Sequence, residues 1–451
     1  MMFKRAVAAG VSLVLAASAA AGGATRADQA TAVVRAGTIY TGPGQVIADG
    51  VIVIDAAGKI AAVGPASSVT YPAGAVVHEC AVAIPGLVDV RSTVGLTGMY
   101  NVDHDQDVLE PGAPVQPELR ALDAYNPREP LVGYLRSLGV TTAHVGHAPG
   151  KLVTGQTAIV KLRGETIEEA LVRADAAVTA TLGPSAEEGG GKSPGTRGKQ
   201  ISMLRDELFK AQRYLEKVKK AAEKPAVDAE ATGDETGEKK DAERVPEPPA
   251  RDLKAEALAA VLSGEKPLIV TANRAQDIAG ALRLGKEFGI TVWLDMAAES
   301  YLMMDEIKAA GAPVLLHPTM TRHWGETSNA SYGTALTLAE GGVRFAIQSG
   351  YEGYVPKVRV VLFEAGVAAG YGGLGFERAL RAVTIDAATI LGIDARVGSI
   401  EPGKDADIAM YDGDPFETVT KCLGTLIDGV RYAGEDEYVI GYPGGSEPGQ
   451  R

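Results

Sequence analysis

The sequence has little of several things that usually announce a function. Its 451 residues include two cysteines, six histidines and 5% aromatics, and acidic residues outnumber basic ones to give a formal charge of −13. Two cysteines, Cys80 and Cys422, exclude a dense disulfide framework. They leave open either one bridge or two thiols buried as small hydrophobes. The negative balance repels polyanions, so no role on nucleic acid is expected. Beyond residue 24 no apolar run is long enough to span a bilayer, so no stable membrane span is expected once that segment is removed. There is no Gly-rich dinucleotide fingerprint and no G-x-S-x-G elbow. The "GGGKS" at 189–193 is not a phosphate loop, because Ala186 stands where that loop needs glycine.

What is present suits a large α/β protein. Hydrophobic residues make up 46% and there are 55 glycines, which fits a sizeable core with many tight strand-to-helix junctions. Residues 1–24 carry Lys4 and Arg5, an apolar stretch from Ala6 and small residues around Ala17-Ser18-Ala19. That order reads as a secretory signal peptide, so the expected location is periplasmic or extracellular.

Residues 25–83 alternate short apolar and polar runs with turns, as in "GVIVIDAAGKIAAVG", and residues 394–440 show the same texture. This predicts antiparallel strands and a small composite β-sandwich built from both ends of the chain. Between them, over 84–393, short apolar strands alternate with amphipathic helices. Strands are expected at 84–90, 141–146, 176–182, 268–273, 291–296, 313–317 and 344–349. The alternation demands parallel strands, and a (β/α)₈ TIM-like barrel is the favoured closure, with an open doubly wound sheet as the other candidate. Residues 201–220 place Leu204, Leu208, Ala211, Leu215 and Val218 at helical spacing. The stretch 224–250 is charged, Pro-rich and poor in large hydrophobes, which predicts a disordered insertion. Residues 441–451 form a tail.

The blocks "IPGLVDVRSTVGL", "LRALDAYNP", "GVTTAHVG", "NRAQDI", "TIDAATILGIDARVGSIEPGKDADIAMYDGDPF" and "IDGVRY" resemble the amidohydrolase superfamily, in particular its imidazolonepropionase-like members. The resemblance implies a metal-dependent barrel that hydrolyses non-peptide C–N bonds. Its zinc or other divalent ion is held by His-x-His after the first strand, Lys or Glu near the fourth, a His on each of the fifth and sixth, and an Asp after the eighth. Carried onto this chain, those positions fall on Arg91 and Thr93, Thr179, Thr271 or Asn273, Met296 and Gly350. None supplies a good donor for a divalent ion, and Arg91 adds a fixed positive charge. Lys161, open to carboxylation, is the alternative for the fourth strand.

The expected protein is thus an exported amidohydrolase-like chain without a metal cofactor. It would be a non-catalytic paralogue binding a small molecule or a homologous active subunit. Arg91, His144, His317 and Tyr351 are the candidate ligand-binding residues, with Tyr351, Glu352 and Tyr354 rimming the barrel mouth. Arg91 either clamps a ligand carboxylate or neutralises Asp89, Asp103 or Asp105. The competing expectation is an active C–N hydrolase with a relocated site, drawing on His144, His147, His317, Asp103 and Asp105. Because both ends are expected to build one β-unit, deleting residues from 398 onward should give insoluble protein. Deleting 224–250 should leave folding almost unchanged, and equal solubility of the two products would refute the layout.

Overall fold

The computed structural model describes residues 30–42, 44–99, 103–223, 249–321, 324–351 and 361–437. The signal-like segment, nearly all of the 224–250 insertion, the tail, His323, Glu352 and Tyr354 lie outside the described residues.

The first β-rich segment forms β1 (Ala30–Tyr40), β2 (Val46–Asp55), β3 (Ile60–Pro65) and β4 (Val76–Pro85). The middle of the chain then gives β5 (Leu87–Ser92), β6 (Val140–Val145), β7 (Val153–Gln156), β8 (Ala158–Lys161), β9 (Leu171–Arg173) and β10 (Val178–Thr181). It continues with β11 (Leu268–Thr271), β12 (Val292–Met296), β13 (Val314–Leu316) and β14 (Phe345–Ile347). Near the C-terminus lie β15 (Ile408–Tyr411), β16 (Cys422–Ile427) and β17 (Val430–Ala433).

Both ends of the chain do build one β-unit, as expected, but as a single seven-stranded sheet in the order β17-β16-β15-β4-β1-β2-β3. It is not purely antiparallel either. β1 pairs parallel with β4 because the β2–β3 hairpin lies between them in the chain, whereas β4 and β15 run antiparallel. The sheet curls until its outer turns meet: the Gly58 carbonyl accepts from the Ala406 amide at 2.9 Å, and a Cβ on Gly58 would lie 2.1 Å from the Asp428 carbonyl oxygen. Both faces are covered. Val34, Ile39, Ile52, Ile54, Ile408 and Leu426 pack on one side, and Val33, Val51 and Val53 on the other.

Cys80 sits in β4 and Cys422 in β16, with β15 between them. Two interstrand spacings amount to roughly 10 Å, beyond the reach of about 7 Å between α-carbons that a disulfide allows. Both thiols are free.

The α/β region holds every strand expected there. β10 to β14 run parallel in a six-stranded sheet ordered β14-β13-β12-β11-β10-β7, and β5 and β6 run parallel in a four-stranded sheet ordered β5-β6-β8-β9. The described strands make no closed sheet. The β5 and β14 edges instead meet through side chains, Ser349 N–H donating to Asp89 at 3.0 Å. Helices fill the crossovers, as in Ala275–Phe288, which buries Ile278, Ala281 and Leu284 and ends on Gly289 at φ 66°. β7, β8 and β9 were not expected. Each has only three or four residues, too short for a periodicity to show.

The helix expected over 201–220 spans Arg197–Glu223. Leu204, Leu208 and Ala211 are buried, but Val218 is exposed, so the contact with Leu253–Leu262 and Ala275–Phe288 ends before the helix does.

Lys161, at the end of β8, points away from the strand ends where a metal ligand would be needed. Its buried ammonium donates to Asp405 at 2.8 Å, to Asp407 at 3.0 Å and to Asp428. Lys59 and Arg396 also pair with Asp405, and Arg163 with Asp428. Burial alone would raise the Asp405 carboxyl, but Lys161, Lys59 and Arg396 outweigh it and hold it near about 2. This network pins the "GKDADI" and "IDG" blocks of the composite sheet to the antiparallel β6–β8 pair. Removing one partner strands buried charge, so Lys161→Met should cost about 3–5 kcal/mol in urea unfolding. A loss under about 1 kcal/mol, the range of a surface pair, would show that the network does not hold the two parts together.

Candidate functional site

The strand ends gather polar side chains in a dry setting. β5 runs Leu87–Ser92 with every residue buried, and because its side chains alternate, Asp89 and Arg91 project to the same side. Arg91 is 4% exposed. Its Nη1 donates to the carbonyls of Ser92 at 3.1 Å and Gly146 at 3.2 Å, and its Nη2 to that of His147. Burial lowers its pKa, while the charges of Asp295 and Asp89 oppose the shift. Arg91 is therefore seated chiefly on backbone carbonyls. Asp103 and Asp105, considered as its partners, form a separate short turn with His104, whose ring is exposed.

Each acid near Arg91 has its own donors. Asp295, from β12, accepts from Thr271 and, at 2.7 Å, from Gln348 Nε2. Asp89 accepts from the Ser349 amide and hydroxyl, and burial pushes its carboxyl up to about 6 in spite of them. Two consecutive non-glycine residues, Met296 at φ 62° and Ala297 at φ 51°, turn the chain sharply after Asp295. Left-handed geometry of this kind costs about 1–2 kcal/mol per residue, and such strain collects at functional sites.

Four of the positions at which the resemblance implies metal ligands come together. Arg91, Thr93, Met296 and Gly350, joined by Tyr351, Asp295 and Gln348, line a cavity of about 220 Å³ in total. Only about 10 Å³ of it can hold the centre of a water, about enough for one molecule. The other positions of that set stay out. Thr179 bonds Thr154 at 2.7 Å and the Gly155 carbonyl at 3.0 Å, Thr271 serves Asp295, and Asn273 faces the Ala298 amide at 3.4 Å.

The candidate histidines also separate. His144 is fully engaged, Nδ1 with the Val90 carbonyl at 3.1 Å and Nε2 with Thr157 at 2.6 Å. Burial, and then the Arg91 charge, push it down to about 3, so it is a neutral structural ring and not a ligand-binding group. His317 lies against Gly350: a Cβ there would fall 2.5 Å from the imidazole Cδ2. Its Nδ1 stands 4.0 Å from the buried Glu364 carboxylate. Among the described residues no group of three or more His, Cys, Asp or Glu is placed to hold a metal ion.

Asp295, Gln348 and Ser349 were missed in the sequence. Their signal was a lone acid inside the apolar strand "VWLDM" and a polar pair directly after "FAI".

The divalent ion implied by the resemblance does not fit these residues. A guanidinium occupies the strand-end cavity, both nearby carboxylates are engaged by hydroxyl and amide donors, and the His317 ring fills the space a side chain at position 350 would need. Thr and Met are weak donors to such an ion.

Comparison with known proteins gives a consistent picture. A family model described as "Amidohydrolase family" matches residues 359–433. "Amidohydrolase tasK" of Hapsidospora irregularis is 23% identical over 371 residues, covering 79% of this chain and 37% of its own length. An imidazolonepropionase of Sphingopyxis alaskensis is 52% identical over 48 residues, 10% of this chain and 12% of that protein. The chain thus spans well under half the length of these curated relatives. Among solved structures, an amidohydrolase from Thermotoga maritima superposes with a TM-score of 0.78 at 26% identity, covering 89% of this chain and all of the other.

A raised carboxyl pKa makes stability depend on pH in a defined sense. Asp89 titrates near about 6 when folded and about 3.9 when unfolded. Its contribution is fully present below the unfolded value and is lost as pH rises through about 6. Asp89→Asn should therefore remove part of the fall in thermal midpoint between pH 4 and 7. Glu129, raised to about 7 by burial, acts in the same window in both proteins, so the difference curve is the readout. Parallel curves would disprove the burial of an ionisable Asp89.

Proposed function

The chain is an imidazolonepropionase-like member of the amidohydrolase superfamily, and from that premise we propose that it is a non-catalytic one. In this reading the parallel strands of the two α/β sheets are the staves of a (β/α)₈ barrel, and the protein is exported. It acts by binding a small molecule or a homologous active subunit instead of by metal-dependent C–N hydrolysis.

The observation that carries the proposal is the buried Arg91 guanidinium in a strand-end cavity with room for about one water. A hydrolase of this superfamily needs a cation-binding donor set and space for a substrate carbonyl beside it. Here a permanently charged side chain sits among the strand ends, and its hydrogen bonds to three carbonyls fix it there. The competing reading, a hydrolase with a relocated metal, draws on His144, His147, His317, Asp103 and Asp105. The first is saturated, and the acids lie on an exposed turn.

Metal analysis of protein purified without chelator, and again after incubation with zinc or manganese and desalting, decides between the two. The expected result is no stoichiometric metal in either sample. About one tightly bound ion per chain, the stoichiometry of a mononuclear site, would overturn the proposal.

A further inference from the structure

The segment that leaves β5 runs from Thr93, in the wall of the strand-end cavity, to Met99, which is buried in the core. Its fastenings include the Asn126 amide donating to the Gly95 carbonyl at 2.8 Å and the Gly98 amide donating to the Asp105 carbonyl at 3.1 Å. At its far end the Met99 amide donates to Glu129 Oε1 at 2.9 Å. The first two are ordinary backbone bonds. The third ends on a side chain that can change its charge.

Glu129 is 4% exposed, and the same oxygen accepts from the Leu131 amide at 3.0 Å, which caps the helix Pro130–Ser137. One atom thus joins the segment after β5 to that helix. The other oxygen, Oε2, is buried with no hydrogen-bond partner among the described residues, and so is the hydroxyl of Tyr125. Buried polar atoms are seldom left unpaired, and an undonated carboxylate oxygen disfavours negative charge and favours a proton. The charged group that acts on Glu129 among the described residues is Asp105, of the same sign, with the exposed His104 ring 3.8 Å from it. Arg136, on the helix, acts on Tyr125. Burial, with a smaller push from Asp105, outweighs the two amide bonds and raises the Glu129 carboxyl to about 7.

We propose that Glu129 is a protonation-controlled clasp: neutral, it fastens the Met99 end of this segment to the helix Pro130–Ser137, and ionised, it lets that end go. The neutral acid keeps a carbonyl oxygen for both amides. Ionisation buries a charge beside Asp105 with one oxygen undonated, and opening at Met99 returns that charge to water. Because the folded value lies above the unfolded one of about 4.3, the fastening is strongest below the unfolded value. It weakens as pH rises to about 7 and changes no further beyond. The segment begins at Thr93, so the clasp controls how firmly one wall of the strand-end cavity is held. The assignment holds whether or not that cavity is catalytic.

Methionine-selective nitrogen-15 labelling of the full chain isolates the Met99 amide, assigned by its loss in Met99→Leu. The readout is its protection against exchange with water, corrected for the intrinsic pH dependence of exchange. The reference is the Met203 amide inside the helix Arg197–Glu223, which registers opening of the chain as a whole. Relative to Met203, Met99 protection should fall about tenfold or more between about pH 5 and about pH 7 and then level off. Glu129→Gln keeps an acceptor oxygen for both amides and cannot ionise, so the fall should vanish, whereas His104→Gln should retain it. A flat Met99 profile in the unsubstituted protein overturns the proposal without recourse to any variant. A fall that survives in Glu129→Gln, or disappears in His104→Gln, overturns it as well. Metal analysis is untouched by these outcomes, so this assignment and the non-catalytic reading fail separately.

Discussion

A buried guanidinium dictates the arrangement of the strand ends. Arg91 cannot shed its proton and cannot be desolvated without partners. The chain meets that demand at both terminal nitrogens, though not at the buried Nε, by turning the carbonyls of Ser92, Gly146 and His147 inward and by placing Asp295 and Asp89 within electrostatic reach. Each acid then needs donors of its own. Asp295 takes Thr271 from β11 and Gln348 from beyond β14, and Asp89 takes Ser349. One cation thus ties β5, β6, β11, β12 and the segment after β14 into a single polar lattice.

That lattice accounts for the residues found at the positions where the resemblance implies metal ligands. With a fixed positive charge supplied by Arg91, imidazoles at the same strand ends would be desolvated beside a cation and pushed toward low pKa, as His144 and His147 are. At Gly350 the constraint is steric, because the His317 ring lies where a side chain would begin. Thr179 is satisfied locally by Thr154 and Gly155. Around the guanidinium itself, Thr93, Met296 and Gly350 keep the space either neutral or full.

Much of the α/β layout was legible because its strands are short apolar runs separated by helices with clear periodicity. All seven expected strands are present, from β5 to β14. The composite sheet was legible in its membership but not in its form. Alternation reveals that a strand has two faces, and it says nothing about which neighbour it pairs with, so the parallel β1–β4 pairing and the single curled sheet were invisible. β7 to β9 are too brief to leave a pattern. The far end of the helix Arg197–Glu223 looked packed because Leu215 and Val218 continue the apolar spacing, yet its neighbours stop short. In the candidate site, the sequence revealed which residues were unusual and not how they are satisfied. Arg91 was visible, but three backbone carbonyls as its main partners could not be read from side-chain identities. Asp295 and Gln348 were hidden by the same rule, since one acid in an apolar strand has meaning only once its cross-strand partners are known.

The blocks that carry the family likeness most strongly are not at the strand ends. "GKDADI" and "IDG" contribute Asp405, Asp407 and Asp428, and these close around Lys161 on β8. The network holds a curled sheet built from distant parts of the chain against the α/β body through buried charge. Such a device is indifferent to what happens among the strand ends, where Arg91 and its partners form a separate polar system. Similarity concentrated in the first is information about how the chain is held together. Chemistry depends on the second, and there the donors, the free volume and the sign of the fixed charge all differ from what metal-assisted hydrolysis requires. On the non-catalytic reading proposed above, the fastening around Lys161 and the filling of the strand ends by Arg91 are separate devices, and the first places no demand on the second.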